Sequence, residues 1–289
     1  MARTLLIDGH NFAYRAFYGI TDLSRSDGFP TNAIHGWLRA CWRLEDEEKP
    51  DVIRVFFDKG GDDEREKLLP EYKMNRSECP EGLSLQFPWI KKLVVASGYT
   101  CDERAGIEAD DLIATAAKTL IQRGDEVLIA SSDKDLAQCI RPGVTQILPP
   151  PTANPRLGWR RLDEDGVEAK FGVRPDQIAD YLALMGDASD NIPGLAGVGP
   201  KTATKWLQAY RDVEGVIENA GRLAPKRFCS IVYENRDKLR RNLKLTTLRE
   251  NLDLSIDAPA PPDLGVLREI LQRMEMTKSL EEALRRYDE

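Results

Sequence analysis

Three short apolar runs, each closed by an aspartate, constrain this chain more than any other feature: Thr4-Leu-Leu-Ile-Asp8, Val52-Ile-Arg-Val-Phe-Phe-Asp58 and Glu126-Val-Leu-Ile-Ala-Ser-Ser-Asp133. Runs of this length, mostly apolar and rich in β-formers, read as buried strands. Between them lie helical patterns at 33–44, at 85–96 before Gly98, and at 108–122 before Gly124, the last with Leu112, Ala116 and Leu120 beside Ile113, Ala117 and Ile121. Strand and helix in alternation predict an α/β fold with a parallel sheet. In such sheets ligands bind beyond the carboxyl ends of the strands, which is where Asp8, Asp58 and Asp133 fall.

With 289 residues, 42% of them apolar and 31% charged, the chain can bury one large core or two packed ones. The segment 142–155 is a proline-rich connection, and beyond Pro175 the patterns are helical: 176–185, 200–210, 213–219, 227–248 and 264–276, with Pro259-Ala-Pro-Pro262 as a stiff linker. We therefore expect an α/β domain over 1–174 and a helical domain over 175–289. No stretch approaches the roughly 18 apolar residues of a membrane span. The apolar run before Asp8 is too short for a signal peptide, and the five cysteines include no Cys-x-x-Cys, so a cytoplasmic protein with reduced thiols and no membrane partner is expected.

The acids carry the chemistry. Asp8, Asp58, Glu108-Ala-Asp110-Asp111, Asp133-Lys-Asp135 and Asp187-Ala-Ser-Asp190 supply nine carboxylates. If they converge on one pocket, most stay ionised at neutral pH only with cations among them. All-oxygen ligands suit Mg²⁺ or Mn²⁺, and so many acids exceed the needs of one ion. Two ions roughly 4 Å apart would activate water on one side of a phosphodiester and stabilise the leaving oxygen on the other. The chain has only two histidines, and it lacks Gly-x-Ser-x-Gly and His-Glu-x-x-His, so triad and zinc mechanisms have little support. An Asp at a strand end or in a first helical turn is more often a cap than a ligand. The residues alone leave two readings, a metal-dependent phosphohydrolase or structural acids.

A net charge of −7 argues against a nucleic-acid partner until its distribution is read. From Pro193 to Glu250 twelve Lys or Arg face six Asp or Glu. That region opens with Asn191-Ile-Pro-Gly194-Leu-Ala-Gly197-Val-Gly199-Pro-Lys201-Thr202-Ala203, a glycine-rich hairpin running into a helix, with Lys205 one turn on. Glycines let a sugar-phosphate backbone approach, and free amides at a helix start favour phosphate oxygens. The segment 59–81 after Asp58 reads either as a solvated loop or as a flap in which Lys73 and Arg76 meet the scissile phosphate and Tyr72 offers a stacking face.

Asp8-Gly-His-Asn-Phe-Ala-Tyr14-Arg15, Phe57-Asp58, Tyr72-Lys73 to Arg76, Glu108-Ala-Asp-Asp111, Asp133-Lys-Asp135, Met185-Gly-Asp187-Ala-Ser-Asp190-Asn-Ile-Pro-Gly194 and Gly197-Val-Gly-Pro-Lys-Thr-Ala203 together resemble, in order and over almost the whole chain, the 5′-nuclease domain of bacterial DNA polymerase I and its free-standing phage and bacterial relatives. The resemblance implies a PIN-like parallel-sheet domain with a helical arch near 59–82, followed by a helical subdomain whose helix-hairpin-helix motif (H3TH) spans about 185–208. It implies a structure-specific 5′ to 3′ exonuclease and flap endonuclease, acting on branched or flapped DNA with a 5′ end in primer removal, replication and repair. It places Asp8, Asp58, Glu108, Asp110 and Asp111 at a first Mg²⁺, and Asp133, Asp135, Asp187 and Asp190 at a second, with Mn²⁺ able to substitute. Lys73, Arg76, Asp110 and Asp111 are then the catalytic residues. Tyr14, Arg15, Tyr72, Lys73, Arg76, Gly194, Gly197, Gly199, Lys201, Thr202 and Lys205 would meet DNA, and backbone oxygens of the hairpin would hold K⁺. A monomer is implied, with a DNA polymerase as partner in cis or in trans. The arch segment 59–81 carries five Lys or Arg against seven Asp or Glu, a weaker grip than a basic arch would have. The competing reading is a non-catalytic binder of branched DNA. A phosphatase with an Asp nucleophile is disfavoured, because its first strand wants Asp-x-Asp where this chain has Asp8-Gly-His10.

Overall fold

The computed structural model describes residues 1–151 and 153–287. In chain order the α/β part contains β1 (Arg3–Asp8), α1 (Gly9–Gly19), α2 (Asn32–Glu48), β2 (Val52–Lys59), α3 (Asp63–Leu68), α4 (Glu81–Ser84), α5 (Phe87–Ala96), β3 (Thr100–Ala105), α6 (Ala109–Gln122), β4 (Glu126–Ala130), β5 (Val144–Leu148), β6 (Arg160–Leu162) and α7 (Glu164–Phe171). Then follow α8 (Ile178–Met185), a two-residue pairing of β7 (Gly186–Asp187) with β8 (Ile192–Pro193), α9 (Pro200–Tyr210), α10 (Val213–Glu218), α11 (Phe228–Glu234), α12 (Arg236–Thr246), α13 (Leu264–Arg273) and α14 (Thr277–Tyr287).

The sheet order is β3-β2-β1-β4-β5-β6, parallel from β3 to β5, with β6 antiparallel at the edge. The α/β expectation is met. The chain winds outward from β1 through β2 to β3, then returns to the other side of β1 with β4, so the order reverses beside β1. Such a switch point opens a crevice at the carboxyl ends of the central strands. Strand alternation feeds two cores. Leu5, Ile7, Val55, Phe57, Leu128 and Ala130 face α1, α2 and α5, while Leu6, Phe56, Val127 and Ile129 face Leu112, Ile113, Ala116 and Leu120 of α6. Strands β3 and β5 escape the sequence reading. The first is the polar edge run Thr-Cys-Asp-Glu-Arg-Ala, and the second lies inside the proline-rich connection.

A third core, built on Trp206, Phe228, Leu182, Tyr181 and Leu239, organises α8 to α12. The expected helix over 227–248 is broken at Asn235, whose side chain donates to Ile231 O at 2.8 Å and ends α11. The expectation of a helical domain running to 289 needs correction. Helices α13 and α14 return to the first core, where Leu267, Ile270, Leu271, Met274 and Ala283 pack with Ile90 and Leu93 of α5 and Trp42 of α2. The helical arch is also smaller than expected. Asp62 caps α3 by accepting from the Glu64 and Arg65 amides, and the helix ends after six residues before Pro70. Turns then carry the chain to α4, docked on the β7–β8 hairpin by Lys73 N–H to Asp190 O (3.0 Å) and Asn75 Nδ2 to Ala188 O (2.7 Å).

Candidate active site

Asp8 ends β1 and caps α1, accepting from the Asn11 amide at 2.9 Å while its other oxygen accepts from Ser131 Oγ at 2.8 Å. One residue therefore turns the chain and aims a carboxylate across the carboxyl edge of the sheet. Asp58, two strand positions along on β2, accepts from the Ala109 amide at 2.8 Å and so caps α6, whose second residue is Asp110. Beyond β4, Asp133 accepts from the Asp135 amide at 2.9 Å, and Gln146 of β5 holds the Asp133 carbonyl at 2.7 Å. Asp8, Asp58, Asp110 and Asp133 line one cleft of about 580 Å³.

The electrostatics of the cleft follow from this convergence. Burial, with Asp58 and Asp133 adding repulsion, pushes the Asp8 carboxyl up to about 7. Burial and the charges of Asp133, Asp8 and Asp58 push Asp110 well above the carboxylate range. Asp135 rises to about 7 through burial and the nearby charge of Asp133. Among the described residues Asp8 and Asp110 have no ion-pair partner, and Lys134 offsets the charge on Asp135 only in part. A second group adjoins them, because carboxylate oxygens of Asp135, Asp187 and Asp190 lie within 4.8 Å of one another. Asp135 Oδ1 is buried and accepts no hydrogen bond, although Lys134 Nζ stands 3.3 Å away. Repelling carboxylates, all-oxygen donors and an orphaned buried oxygen fit hard divalent cations.

The acids group in space differently from the two expected ligand sets. Asp133, assigned with the second set, lines the cleft with Asp8, Asp58 and Asp110. Glu108 turns toward Asp190, its carboxylate accepting from Lys73 Nζ and from Tyr72 OH at 3.1 Å. The structure does not bring Asp111, expected as a metal ligand and catalytic residue, into this cleft. It is fully buried away from the cleft, with both oxygens taken by Arg65 and Arg249. Those guanidinium groups outweigh burial and hold its carboxyl below the usual range.

Lys73, Arg76, Tyr14 and Arg15 line the same cleft as the four acids. Arg76 donates to Asp190 Oδ1 at 2.6 Å, and Arg15 to Pro150 O at 2.5 Å. Tyr72 is also corrected. Its ring is 5% exposed, packed with Leu69, Ile192 and Leu245, so it offers no stacking face to a base. Sequence reasoning missed His10, whose Nδ1 accepts from the Asp58 amide at 3.1 Å, as well as Arg65 and Arg249. An arginine inside the acidic run 62–66 was the available signal for Arg65; Arg249 carried none.

The glycine hairpin follows β7 directly. A side-chain carbon on Gly194 would stand 1.9 Å from Met185 O, so only glycine lets the two arms of the hairpin close. Gly197 takes φ +75°, Gly199 caps α9, and Lys201 and Lys205 lie exposed on one face of that helix with Thr202 half-buried beside them. The carbonyl of Gly194, in the hairpin whose backbone oxygens were expected to hold K⁺, accepts from Lys238 Nζ at 2.7 Å.

Residues 3–172 match the family described as 5′-3′ exonuclease, N-terminal resolvase-like domain, and residues 173–264 match 5′-3′ exonuclease, C-terminal SAM fold. The chain belongs to the 5′-3′ exonuclease family. It is thus a nuclease, with a resolvase-like sheet and a SAM-like helical region. A 5′-3′ exonuclease of Aquifex aeolicus is 37% identical over 286 residues, covering 98% of this chain and 95% of that one. The thermostable DNA polymerase I of Thermus thermophilus is 35% identical over 283 residues, covering 97% of this chain but 33% of the relative. The chain therefore spans about a third of the length of that polymerase. Among solved structures, the bacteriophage T5 flap endonuclease in a complex with DNA and metal ions superposes with a TM-score of 0.71 at 21% identity, over 97% of this chain and 98% of that one. The catalytic core of Rad2 in complex with DNA substrate gives 0.63 at 13% identity, over 96% and 91%. At those identities the likeness establishes the fold of this exonuclease-family chain.

Proposed function

We propose that the chain hydrolyses phosphodiesters at the 5′ ends of branched DNA, as a structure-specific 5′ to 3′ exonuclease and flap endonuclease in primer removal, replication and repair. The observation that carries this reading is the cleft where Asp8, Asp58, Asp110 and Asp133 converge beneath Lys73 and Arg76. Asp8, Asp58, Asp110 and Asp133, with Asp135, Asp187 and Asp190 adjoining, would hold two Mg²⁺, for which Mn²⁺ can substitute. Bound there, the ions supply an activated water and charge neutralisation at the phosphate. The chain's own residues do the rest. Lys73 and Arg76 face the cleft and offset charge developing on the phosphate oxygens once a strand draws them from Glu108 and Asp190. Tyr14 and Arg15 flank the entry for a 5′ terminus. Amides around Gly197 and Gly199, with Lys201, Thr202 and Lys205, grip duplex phosphates without reading sequence.

K⁺ fits the hairpin less well, because Lys238 already donates to the Gly194 carbonyl, and no step depends on it. The working form is a monomer in the cytoplasm, acting with a DNA polymerase in cis or in trans. No helix among the described residues is long and apolar enough to cross a membrane.

Incubation of a 5′-labelled flap DNA and a matched blunt duplex with Mg²⁺, with and without EDTA, tests the reading. Short 5′-labelled products that disappear with chelator are expected. DNA binding that ignores EDTA and yields no product would point to a non-catalytic binder and overturn it.

A further inference from the structure

We propose that Arg249 is a positioning residue for the nuclease chemistry: together with Arg65 it clamps Asp111, and through Asp111 fixes the first turn of the helix that presents Asp110 to the cleft. The inference rests on the proposed function, and its geometry is that of the protein's own side chains.

Asp110 and Asp111 are consecutive in the first turn of α6, about 100° apart around the helix axis. Asp110 faces the acid cleft and Asp111 points behind it. Asp111 Oδ1 accepts from the Arg249 amide at 2.8 Å and from Arg65 Nη2 at 3.0 Å. Its Oδ2 accepts from Arg65 Nη1 at 2.6 Å, Arg249 Nη2 at 2.6 Å and Arg249 Nε at 3.1 Å. Five donors saturate this carboxylate, and an acid so engaged has no lone pair left for a cation in the cleft.

Asp62, Glu108 and Asp111 bring carboxylate oxygens within 4.8 Å of one another, a grouping that could itself hold a metal ion. Arg65 Nη1 lies 2.8 Å from Asp62 and 3.2 Å from Glu108, and Arg249 also pairs with Asp62. Two guanidinium groups thus neutralise most of this cluster. They keep a divalent ion from being drawn behind the cleft and leave Glu108 as the acid shared with the reaction side. Arg249 enters from just beyond α12, and Arg65 donates to Leu245 O at 2.9 Å and to Thr247 O at 3.1 Å. The cluster therefore ties the helical region that carries the hairpin to the turn that carries Asp110. A residue in this place sets the aim of a reacting group without touching DNA.

The test compares wild type, Arg249→Met, Arg249→Lys, Asp111→Asn, the Met/Asn double variant and, as the reference for loss of a metal ligand, Asp110→Asn. Turnover of a 5′-flap DNA is measured at saturating Mn²⁺, Mn²⁺ binding to the DNA-free protein by electron paramagnetic resonance, and amide exchange over 109–112. Arg249→Met is expected to lower kcat about tenfold with KM for DNA within twofold, and to speed exchange in that turn. Arg249→Lys should recover part of the loss. The double variant should be no slower than the slower single one, because both substitutions break one clamp. Asp111→Asn should keep Mn²⁺ affinity within threefold. The proposal is overturned if Asp111→Asn loses Mn²⁺ as Asp110→Asn does, if Arg249→Met raises KM alone, or if the two losses multiply. Should wild type itself fail to cut, the function reading fails separately, since exchange and Mn²⁺ binding still report on the clamp.

Discussion

The Asp58 carboxylate accepts the Ala109 amide hydrogen at 2.8 Å, so the residue near the end of one strand caps the helix that carries Asp110. Glu108, at the capping position itself, makes no side-chain cap and is free to face Lys73. One acid thus serves a structural and a chemical purpose, and a substitution can separate them. Asn at position 58 keeps the accepting oxygen but loses the charge. Asp58→Asn is expected to cut cleavage by about 10³-fold while unfolding stability stays within about 0.5 kcal/mol of wild type. Paired cleavage assays and thermal melts check both halves; an active variant would remove Asp58 from the metal set.

Lys73 is half-buried against Glu108 and stands 3.7 Å from Asp190, in a left-handed backbone conformation that aims it into the cleft. Lys73→Ala should lower single-turnover cleavage about 10²-fold, the scale of losing one transition-state donor. DNA affinity should change far less. Cleavage at the wild-type rate would show that the ammonium group serves Glu108 alone.

Tyr72 tests the correction from stacking platform to buried strut. Tyr72→Phe keeps the packing against Leu69, Ile192 and Leu245 and loses only the donation to Glu108 and Asp190. A stability loss of about 1–2 kcal/mol is expected, because buried acceptors lose a partner. Affinity for single-stranded and flapped DNA, measured by fluorescence anisotropy, should not move. Tyr72→Leu, which removes the ring itself, should also leave the affinity of the folded protein unmoved; a large drop in its affinity with unchanged stability would restore the stacking role.

Asp180 supplies a pH dependence away from the cleft. Burial pushes its carboxyl up to about 6, the Val213 amide hydrogen bond opposes this, and Asp212 adds repulsion. The folded value lies above the unfolded one, so the stability this group contributes is complete below about pH 4. It is lost as pH rises toward 6 and remains lost above. Asn keeps the acceptor for the Val213 amide, which lies 2.8 Å from Oδ1. Asp180→Asn should therefore be more stable than wild type at pH 7 by about 1–3 kcal/mol, with the difference fading near pH 4. Denaturant titrations at the two pH values decide it; an advantage that persists at pH 4 would contradict the assignment.

The central sheet was legible because its strands are continuous apolar runs, and β1, β2 and β4 stand where Leu6, Phe56 and Ile129 place them. Strand β3 was not, since a half-buried edge strand of mostly polar residues has no apolar signature to offer. The cleft acids were legible through spacing: Asp8, Asp58, Asp110 and Asp133 meet although more than a hundred residues separate the first from the last. Asp111 was misplaced because adjacent residues on a helix face different ways, and a pair of letters does not say which one looks outward. Arg249 was invisible for a different reason. Its partners Asp62 and Asp111 lie 187 and 138 residues away, a distance over which no local pattern operates.

The return of α13 and α14 to the first core has a consequence for any longer chain built on this plan. Because Leu267, Ile270 and Leu271 knit into the layer around Trp42 and Ile90, polypeptide continuing past Tyr287 would leave from the sheet-bearing body. A fused neighbour would then ride on the body that holds the acids, tethered apart from the hairpin helices.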